Sequence, residues 1–457
     1  MTATEIAPEL STRLDALIED ETEAFLTRQP ASKAMSERAR SLAGGATSSW
    51  QVAEPHAVWL SHGEGSKLYD VDGNEYSDFH GGYGVSLAGH AHPAIVEAVQ
   101  ARVTRGTHFA QPTEDSIVVA DNLSERFGQP LWRFGNSGTE ATMDAVHLMR
   151  AATGRDRILK VEGGYHGHHD AVMVSVLPEE VDDLGPVDAP LSVTENSGIP
   201  EAVAGLTTIV PFNNLPAVEA ALARYPGEIA GMIVEPIMMN AGIIVPDTGY
   251  LEGLRDLLHA HGALLAFDEV KTGLTVGPGG ASRLFGVTPD LICLAKAMGG
   301  GLSTSAIGGS SVMELIVRRE YEQVGTFNGN PLAMAAARAM LTEVLDDTAY
   351  AHLDRLRDRM RTGLQDVVDR YDAPWLVVTV GAKGCVSFLP HPIRNFRDFR
   401  SLDGRYGHAH WLVQHNRGAF LPPWGKVEQW LISVQHTDAD VDRFVANFAY
   451  LCDELTT

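Results

Sequence analysis

Residues 262–301 read GALLAFDEVKTGLTVGPGGASRLFGVTPDLICLAKAMGGG, and this stretch decides the fold. Two apolar runs, 264–267 and 291–295, end in Asp268 and Lys296 respectively. Each run has the length and composition of a buried strand in a parallel sheet. Ligands of open α/β sheets bind just beyond the carboxyl ends of the strands. We therefore expect Asp268 and Lys296 to face one crevice.

A carboxylate and an amine in one crevice suit one cofactor in particular. A lysine held partly out of water can form a Schiff base with an aldehyde. A carboxylate beside a pyridine nitrogen keeps that nitrogen protonated, which makes the ring an electron sink. Pyridoxal phosphate needs both partners. The alternative is a surface lysine and a helix-capping aspartate, which is the commoner case for an isolated pair.

Composition restricts the class of protein. The 457 residues include 59 acidic and 35 basic side chains, for a net charge of −24, which argues against a nucleic-acid surface. Cys293, Cys385 and Cys452 lack the close spacing of a disulfide framework or zinc site, so we expect a reducing cytoplasm. The segment MTATEIAPEL does not resemble a signal peptide, and no apolar stretch has the length of a membrane span.

Strand and helix patterns alternate between residues 114 and 335, which predicts a large mixed, mainly parallel sheet with helices on both faces. The predicted strands of this region are 131–134, 157–161, 171–176, 207–210, 230–234, 263–267, 291–294 and 307–309. The predicted domains are an N-terminal helical segment with a small β-meander (1–75), a large α/β cofactor-binding domain (76–335), and an α+β small domain that packs with the N-terminal segment (336–457).

Residues 133–141, RFGNSGTEA, follow a predicted strand and open a helix. The free N–H groups of a helix N-terminus favour the binding of a phosphate group, and Ser137 and Thr139 add hydroxyl donors. An ordinary N-cap uses the same residues. The GxGxxG fingerprint of a NAD-linked dehydrogenase is absent from this stretch.

Two further loops follow predicted strands. In 162–170, EGGYHGHHD, Tyr165 can stack on a flat cofactor ring. His166, His168 and His169 also suggest a metal, but no HExxH motif or paired carboxylates accompany them. In 325–331, GTFNGNP, Thr326 precedes a helix as either a phosphate ligand or a cap.

Together these motifs resemble the class III (omega) aminotransferases of the fold-type I pyridoxal-phosphate enzymes. The matching segments, in order, are KLYDVDGNEYSDF, GHAHPAI, NSGTEATM, EGGYHGHHD, AFDEV, LAKAMGGGLSTSAIGG and TFNGNPLAMAA. The similarity runs from about Gly44 to Asp442 and is greatest to the glutamate-1-semialdehyde aminomutase branch. It implies a large domain with a seven-stranded-type sheet and a smaller α+β domain.

The resemblance also implies roles for individual residues. Lys296 would be the Schiff-base lysine and the acid–base group, and Asp268 would pair with the pyridine nitrogen. Tyr165 and Val270 would pack on the two faces of the ring. The other cofactor-binding residues that it implies are Ser137, Gly138, Thr139, His166, Glu235, Asn240 and Thr326. Because Thr326 would reach the phosphate of a neighbouring subunit, the resemblance implies a homodimer with sites at the interface.

The chain departs from the aminomutase branch at the substrate end. The GGVNSPVR segment of the branch reads GGATSSWQ here, so Gln51 replaces the arginine for the substrate carboxylate. Trp424 follows the proline pair near the end of the chain. These changes favour a larger, more aromatic pocket, with Arg417 and Lys426 as other possible carboxylate partners. The substrate-pocket candidates are Trp50, Gln51, Arg417 and Lys426.

We expect an aminotransferase that moves an amino group from an amine or amino acid to a keto acid or aldehyde, by ping-pong chemistry through Lys296. A 2,1-aminomutase of the glutamate-1-semialdehyde type and an amino-acid racemase or epimerase of the same fold are the alternatives. A metal-dependent hydrolase or a purely structural protein leaves the Asp268–Lys296 pairing unexplained. The expected partners are small molecules and a second copy of the chain, with no metal, nucleic acid or membrane.

Overall fold

A computed structural model describes residues 8–178, 184–423, 426 and 429–456. The chain forms two compact units. We call the first the terminal unit; it comprises the described parts of Met1–His92, Asp347–Ile393 and Arg397–Thr457. The second, the central unit, comprises the described parts of Pro93–Asp346 and Arg394–Phe396. The three domains predicted from the sequence, 1–75, 76–335 and 336–457, stay a prediction.

Strands and helices alternate along most of the described chain. The strands are β1 (Leu60–Glu64), β2 (Lys67–Asp70), β3 (Glu75–Asp78), β4 (Leu131–Gly135), β5 (Arg157–Val161), β6 (Thr207–Val210), β7 (Ile229–Val234), β8 (Leu264–Asp268), β9 (Leu291–Leu294), β10 (Ser305–Gly309), β11 (Leu376–Val380), β12 (Lys383–Ser387), β13 (Ala419–Phe420) and β14 (Gln429–Leu431). The helices are α1 (Pro8–Arg28), α2 (Pro30–Arg38), α3 (Pro93–Val103), α4 (Glu114–Phe127), α5 (Gly138–Thr153), α6 (Glu201–Ala204), α7 (Leu215–Arg224), α8 (Tyr250–Ala260), α9 (Gly280–Phe285), α10 (Glu314–Val317), α11 (Pro331–Ala339), α12 (Asp347–Arg370), α13 (Phe396–Arg400), α14 (Gly404–Asn416) and α15 (Asp438–Thr456).

A seven-stranded sheet with the order β4-β10-β9-β8-β7-β5-β6 organises the central unit. Strand β10 runs antiparallel to both of its neighbours, β4 and β9, and the other pairs are parallel. All six residues of β7 are buried, as are all four of β9. Continuous rather than alternating burial is typical of a sheet covered on both faces. The predicted mixed, mainly parallel sheet is confirmed.

Helix α5 packs against the middle of this sheet. Its buried residues Ala141, Ala145 and Met149 recur at the spacing of one helix face. A Cβ at Gly231 of β7 would lie only 2.4 Å from the Met149 sulfur, so the glycine allows the close approach of helix and strand. The N-terminus of α5 is thereby held at the edge of the sheet where β4 ends.

The terminal unit has two small sheets, β1-β2-β3-β13 and β11-β12-β14, together with the packed helices α1, α12, α14 and α15. The small β-meander predicted near the N-terminus is present as β1, β2 and β3. Strand β13 adds to it in parallel, with Ala419 opposite Ser77. The sequence analysis missed α14 because most of its residues are buried, so it lacks a polar face with a helical period.

One predicted element is wrong. Residues 171–176 form turns rather than a strand, with one isolated bridge from Val174 to Thr194. Burial of this apolar run within loops, where the Ser175 N–H bonds the Val193 carbonyl at 2.7 Å, explains its strand-like composition. The helical region that follows Asn330 is divided: α11 ends at Ala339, a π turn spans Met340–Val344, and α12 starts at Asp347.

Two further findings concern the helices and the cysteines. Across the helices of the described chain, none combines the length and the apolar character that crossing a membrane requires. Cys293, Cys385 and Cys452 are buried thiols that form no disulfide.

Asp440, in the first turn of α15, joins that helix to the meander. Its carboxylate pairs with the Lys67 ammonium group and accepts hydrogen bonds from the Ser77 hydroxyl at 2.6 Å and the Ser66 hydroxyl at 3.0 Å. The Thr437 hydroxyl adds a bond of 2.8 Å. Burial raises the pKa of Asp440, but the donors, led by Lys67, outweigh it, so the net pKa lies below the usual value.

We predict that Asp440→Asn lowers the free energy of unfolding by about 3 kcal/mol at neutral pH, because it leaves Lys67 without its buried partner. The free aspartate titrates near pH 4 and the folded one lower, so the stabilisation is complete above about pH 4 and is lost as the pH falls through the folded pKa. Urea unfolding from pH 3 to 7 measures the difference. The exposed Asp442 lies on the same helix as Asp440 and pairs with Arg359 of α12; it provides the control Asp442→Asn, which we expect to cost below about 0.5 kcal/mol.

Candidate functional site

Two adjacent strands of the central sheet end at the same edge with an ionisable side chain. Asp268, the last residue of β8, lies opposite Cys293 of β9, and the next amide, Glu269 N–H, donates to the Cys293 carbonyl at 2.9 Å. Lys296 follows β9 by two residues and has a left-handed backbone, with φ of +49°. Such conformations are uncommon for residues with a side chain and occur preferentially at functional sites.

The Asp268 carboxylate is 5% exposed and is held through both oxygens. Its Oδ2 lies 2.8 Å from His166 Nδ1, and its Oδ1 accepts from the Val270 amide at 3.0 Å. His166 is also buried, and within the described chain its Nε2 has no hydrogen-bond partner. With His166 Nδ1 as donor, the carboxylate is held in one orientation and keeps lone pairs for one further donor.

The Lys296 side chain is partly buried near this carboxylate. Burial lowers its pKa, and the negative charges of Asp268 and Glu235 oppose that shift. Within the described part of the chain, no hydrogen bond or ion pair engages the Lys296 amine. A lysine with a lowered pKa and a free amine suits nucleophilic chemistry.

Glu235 joins two loops at the same edge of the sheet. Its Oε1 accepts from the Tyr165 amide at 3.2 Å, in the loop after β5. Its Oε2 accepts from the Asn240 side chain at 2.9 Å and the Met239 amide at 3.0 Å, in the loop after β7. Glu235 is buried, and its hydrogen bonds therefore hold the Tyr165 backbone and the Asn240 side chain in position.

The N-terminus of α5 forms a shallow cradle beside Val270. The Ser137 hydroxyl caps the Glu140 amide at 3.3 Å, and the amides of Gly138 and Thr139, at the helix start, have no helical acceptor. A Cβ at Gly138 would lie 3.0 Å from a Val270 methyl, so a side chain there would crowd the cradle. Free amides at a helix N-terminus fit a phosphate group.

The loop after β8 is fastened by Glu269, which the sequence analysis did not single out for a role. This buried carboxylate accepts from the Thr272 hydroxyl at 2.8 Å, the Ala281 amide at 2.7 Å and the Ser282 amide at 2.8 Å. The Ser282 hydroxyl is a further donor. These bonds fix the backbone that carries Val270, the neighbour of the α5 cradle.

Thr326 lies on the wall of a cavity of about 650 Å³ within the central unit. It is exposed, and its carbonyl accepts from His108 Nε2 at 2.7 Å. Of the loop histidines, His168 is exposed, and His169 lies 3.5 Å from the Thr142 hydroxyl. In the ranges that the structure describes, no group of three or more His, Cys, Asp or Glu residues is arranged to hold a metal ion.

Trp50 and Gln51 line a cavity of about 550 Å³ within the terminal unit. Aromatic side chains dominate its wall, and the described residues that line it include no lysine or arginine. The other lining residues with rings are Trp59, His80, Tyr83, His90, Trp411, Phe420 and Pro423. Trp424, which the sequence analysis assigned to an aromatic pocket, lies outside the described residues.

The structure does not bring Arg417 or Lys426 to this cavity. The Arg417 guanidinium pairs with Glu21 at 2.8 Å and lies 3.6 Å from the centre of the Tyr450 ring. The Lys426 ammonium group donates to the carbonyls of Arg400 and Leu402 at 2.7 and 2.8 Å. Both cations are engaged elsewhere in the terminal unit, so neither is placed to meet a carboxylate beside Gln51.

The residues 49–407 match the family model described as aminotransferase class-III. The chain is 36% identical to glutamate-1-semialdehyde 2,1-aminomutase 2 of Brevibacillus brevis, over 92% of this chain and 97% of that protein. A glutamate-1-semialdehyde-aminomutase structure from Pseudomonas aeruginosa has a TM-score of 0.89 at 29% identity, covering 97% of this chain and 99% of that one, and a variant was solved with PMP. An omega-transaminase from Sphaerobacter thermophilus has a TM-score of 0.88 at 31% identity, covering 94% and 100%. The resemblance inferred from the motifs is confirmed.

We predict that Glu269→Gln lowers the free energy of unfolding by about 2 kcal/mol, because one amide oxygen cannot accept the four hydrogen bonds that the carboxylate accepts. Chemical unfolding of the purified variant measures this change. The exposed Glu252→Gln on α8 is the matched control and should change stability by less than about 0.5 kcal/mol. Equal stability of Glu269→Gln and its parent would show that the loop does not depend on Glu269.

Proposed function

The chain belongs to the class-III aminotransferase family of pyridoxal-phosphate enzymes, and we propose that it moves amino groups on small molecules with Lys296 as the cofactor-holding lysine. The observation that carries the proposal is the placement of Asp268 and Lys296 at the ends of adjacent strands. When bound, pyridoxal phosphate supplies an aldehyde that an amine can attack and a ring that takes up electrons. The residues present fit that group, because Lys296 offers a free amine, Asp268 offers a carboxylate held by hydrogen bonds, and the start of α5 offers free amides for the phosphate.

Asp268 would accept a hydrogen bond from the pyridine N–H and hold the proton on that nitrogen. His166 supports this role from behind, because its Nδ1 lies 2.8 Å from Asp268 Oδ2 and fixes the carboxylate in place. An ionised carboxylate in a buried setting needs such donors to stay charged. His166 is therefore proposed as a positioning residue for Asp268.

Lys296 would act at its Nζ, which would hold the cofactor through its aldehyde and, as a free amine, would take up and return a proton of the substrate. The lowered pKa favours the neutral amine that both steps need. Ser137, Gly138 and Thr139 would hold the phosphate, and Tyr165 and Val270 would pack on the faces of the ring. Glu235 would keep Tyr165 and Asn240 in position through the bonds described above.

The proposed reaction is the intramolecular amino shift of a 2,1-aminomutase, the alternative kept open in the sequence analysis. The relatives support it better than the aminotransferase that the sequence analysis placed first, because both the Brevibacillus brevis protein and the Pseudomonas aeruginosa structure are named as aminomutases.

The aminotransferase is the second candidate, and one observation favours it. The cavity at Trp50 and Gln51 offers no lysine or arginine among its described lining residues, whereas the resemblance implies an arginine for the substrate carboxylate at position 51. A chain without that arginine suits an amine or amino acid other than glutamate 1-semialdehyde.

A homodimer is also proposed, with the face around Thr326 as the interface. Large apolar side chains are unusually exposed there: Val324 is 82% exposed, Phe327 58% and Phe109 46%. Phe327 packs edge-on against the His108 ring, whose Nε2 holds the Thr326 carbonyl. Contiguous apolar surface of this kind is typical of a contact with another protein.

We predict that holoenzyme given glutamate 1-semialdehyde alone forms the isomer with the amino group on carbon 1, without any acceptor. Chromatography of the products measures it. Transfer of nitrogen from a panel of amines to a keto acid, with no isomer formed, would instead establish the aminotransferase. Lys296→Ala should lower either activity about a thousand-fold, and borohydride reduction followed by peptide mapping should place the cofactor on Lys296 in the parent. Exposed Lys33→Ala is the control, and a cofactor found on another lysine would contradict the proposal.

We predict that the parent chain sediments as a dimer and that the double change Val324→Asp and Phe327→Asp shifts it to the monomer, since burying two carboxylates in an apolar contact is costly. Sedimentation equilibrium measures the mass. Leu284→Asp, which places a charge at a 53% exposed apolar position on α9, is the control and should stay dimeric. A monomeric parent chain would refute the proposed interface.

A further inference from the structure

Asp144 is a buried carboxylate on helix α5 to which nothing above assigns a role. It is 7% exposed and shares a helix face with the buried Ala141 and Leu148. Its Oδ1 accepts from the Tyr321 hydroxyl at 2.8 Å, and its Oδ2 accepts from the Gln323 side-chain amide at 2.9 Å. In the described chain no ion pair engages Asp144, so these two neutral donors offset its desolvation.

Both donors lie in residues 321–328, within the connection between α10 and α11; we call these residues the connecting segment. Its first amide, that of Tyr321, donates to the Leu315 carbonyl at 3.2 Å, and its last, that of Asn328, donates to the Gly325 carbonyl at 3.2 Å. The amides between them donate to no backbone carbonyl of the described residues. The position of the connecting segment therefore depends on side-chain hydrogen bonds.

These side-chain bonds attach the connecting segment to β4 and to α5. The Gln323 amide group also donates to the Phe134 carbonyl of β4 at 3.1 Å, so each of its two N–H groups has an acceptor. Farther along, Asn328 Oδ1 accepts from the Asn136 side chain, just after β4, at 2.9 Å. A Cβ at Gly325 would lie 2.3 Å from Asn328 Oδ1, so the glycine leaves room for this contact. The stretch from Gln323 to Asn328 is thus fixed at both ends.

Tyr321 secures the start of the connecting segment. Its ring packs against the apolar cluster that includes the buried face of α5. Its hydroxyl also lies 3.4 Å from His147 Nδ1. Burial and the charge of Asp144 raise the pKa of Tyr321, so the hydroxyl keeps its proton and remains a donor to the carboxylate.

The stretch held in this way carries the exposed apolar side chains of the proposed dimer interface. Val324, which is 82% exposed, directly follows Gln323, and Phe327, which is 58% exposed, directly precedes Asn328. Thr326, also exposed, lies between them. Ordering a loose segment on association costs conformational entropy, and a segment that is already fixed avoids that cost.

We propose that Asp144 is a positioning residue for the subunit interface, because its carboxylate holds the connecting segment, through Tyr321 and Gln323, in the conformation that meets the partner. This inference rests on the homodimer proposed above. Asp144 acts through these two side chains rather than by touching the partner, since it is buried within its own chain. Without its oxygens the segment would have more conformations in the free subunit, and association would have to restrict them.

Three substitutions separate this role from a general effect on the fold. Asp144→Ala removes both acceptor oxygens, and alanine suits the helix that carries it. Gln323→Met keeps a side chain of similar length but removes the donor. Asp144→Asn is the conservative variant, because its amide oxygen can accept from Gln323 while its NH2 group donates to the Tyr321 oxygen. The alanine and methionine variants should therefore release the connecting segment, and the asparagine variant should not.

Sedimentation equilibrium of the holoenzyme measures the dimer dissociation constant, in a sub-denaturing concentration of urea at which the parent dissociates within the range studied. Asp144→Ala and Gln323→Met should each raise this constant about ten-fold, the scale of the one or two hydrogen bonds that are lost. The double variant should raise it no further than the larger single change, since both remove the same contact. Asp144→Asn should stay within about three-fold of the parent. Gln323→Met carries the test if the alanine variant does not fold.

Asp290→Ala is the matched control. Asp290 also accepts two hydrogen bonds, from the Leu265 amide at 2.8 Å and from His259 Nε2 at 2.9 Å, with the imidazole as donor. It precedes β9, at the edge of the central sheet opposite to Asn136. Its loss should leave the dissociation constant within about two-fold of the parent.

The outcomes separate this inference from the proposed homodimer. A dimeric parent whose dissociation constant is unchanged in Asp144→Ala and Gln323→Met would overturn the role of Asp144 alone. An equal rise in Asp290→Ala would also overturn it, because the effect would then be a general loss of stability. A rise in Asp144→Asn as large as in Asp144→Ala would show that these hydrogen bonds do not hold the segment. A monomeric parent would instead refute the homodimer itself.

Discussion

The hydrogen-bonded register between β8 and β9 is the constraint on which the site depends. It sets Asp268 opposite Cys293, and Lys296 follows Cys293 by only three residues. A shift of one residue along either strand would turn that side chain to the other face of the sheet. The apolar residues of both strands are buried, except for Leu264, and their packing holds the register. The positions of Asp268 and Lys296 therefore depend on the core of the central unit.

A buried carboxylate at the edge of a sheet needs hydrogen-bond donors to offset its desolvation. The structure provides such donors for three carboxylates. The Asp268 carboxylate is hydrogen-bonded to His166. The Glu235 carboxylate accepts from amides of its own loop and of the loop after β5. The Glu269 carboxylate accepts from donors at Thr272, Ala281 and Ser282. In each case the carboxylate also fixes a loop. The same bonds that offset desolvation therefore hold the side chains that would contact the cofactor.

Lys271 and Lys296, unlike these carboxylates, lack hydrogen-bond partners in the described chain. Neither the Lys271 nor the Lys296 amine has a hydrogen bond or ion pair among the described residues, although both lie near Asp268 and Glu235. A buried cation without a partner is costly unless it gives up its proton. That cost is useful in an enzyme that needs a neutral amine, and it distinguishes these lysines from Lys67, which is paired with Asp440.

The sequence by itself determined the family, the mainly parallel sheet and the cofactor, because short ordered motifs and strand-ending charges are local patterns. It also indicated the pairing of Asp268 with Lys296, since both follow apolar runs of strand length. Only the tertiary structure decided which residues 100 or more positions apart share a hydrogen bond, as His166 and Asp268 do. It alone also engaged Arg417 with Glu21, away from the cavity, because such contacts depend on how distant parts of the chain pack together.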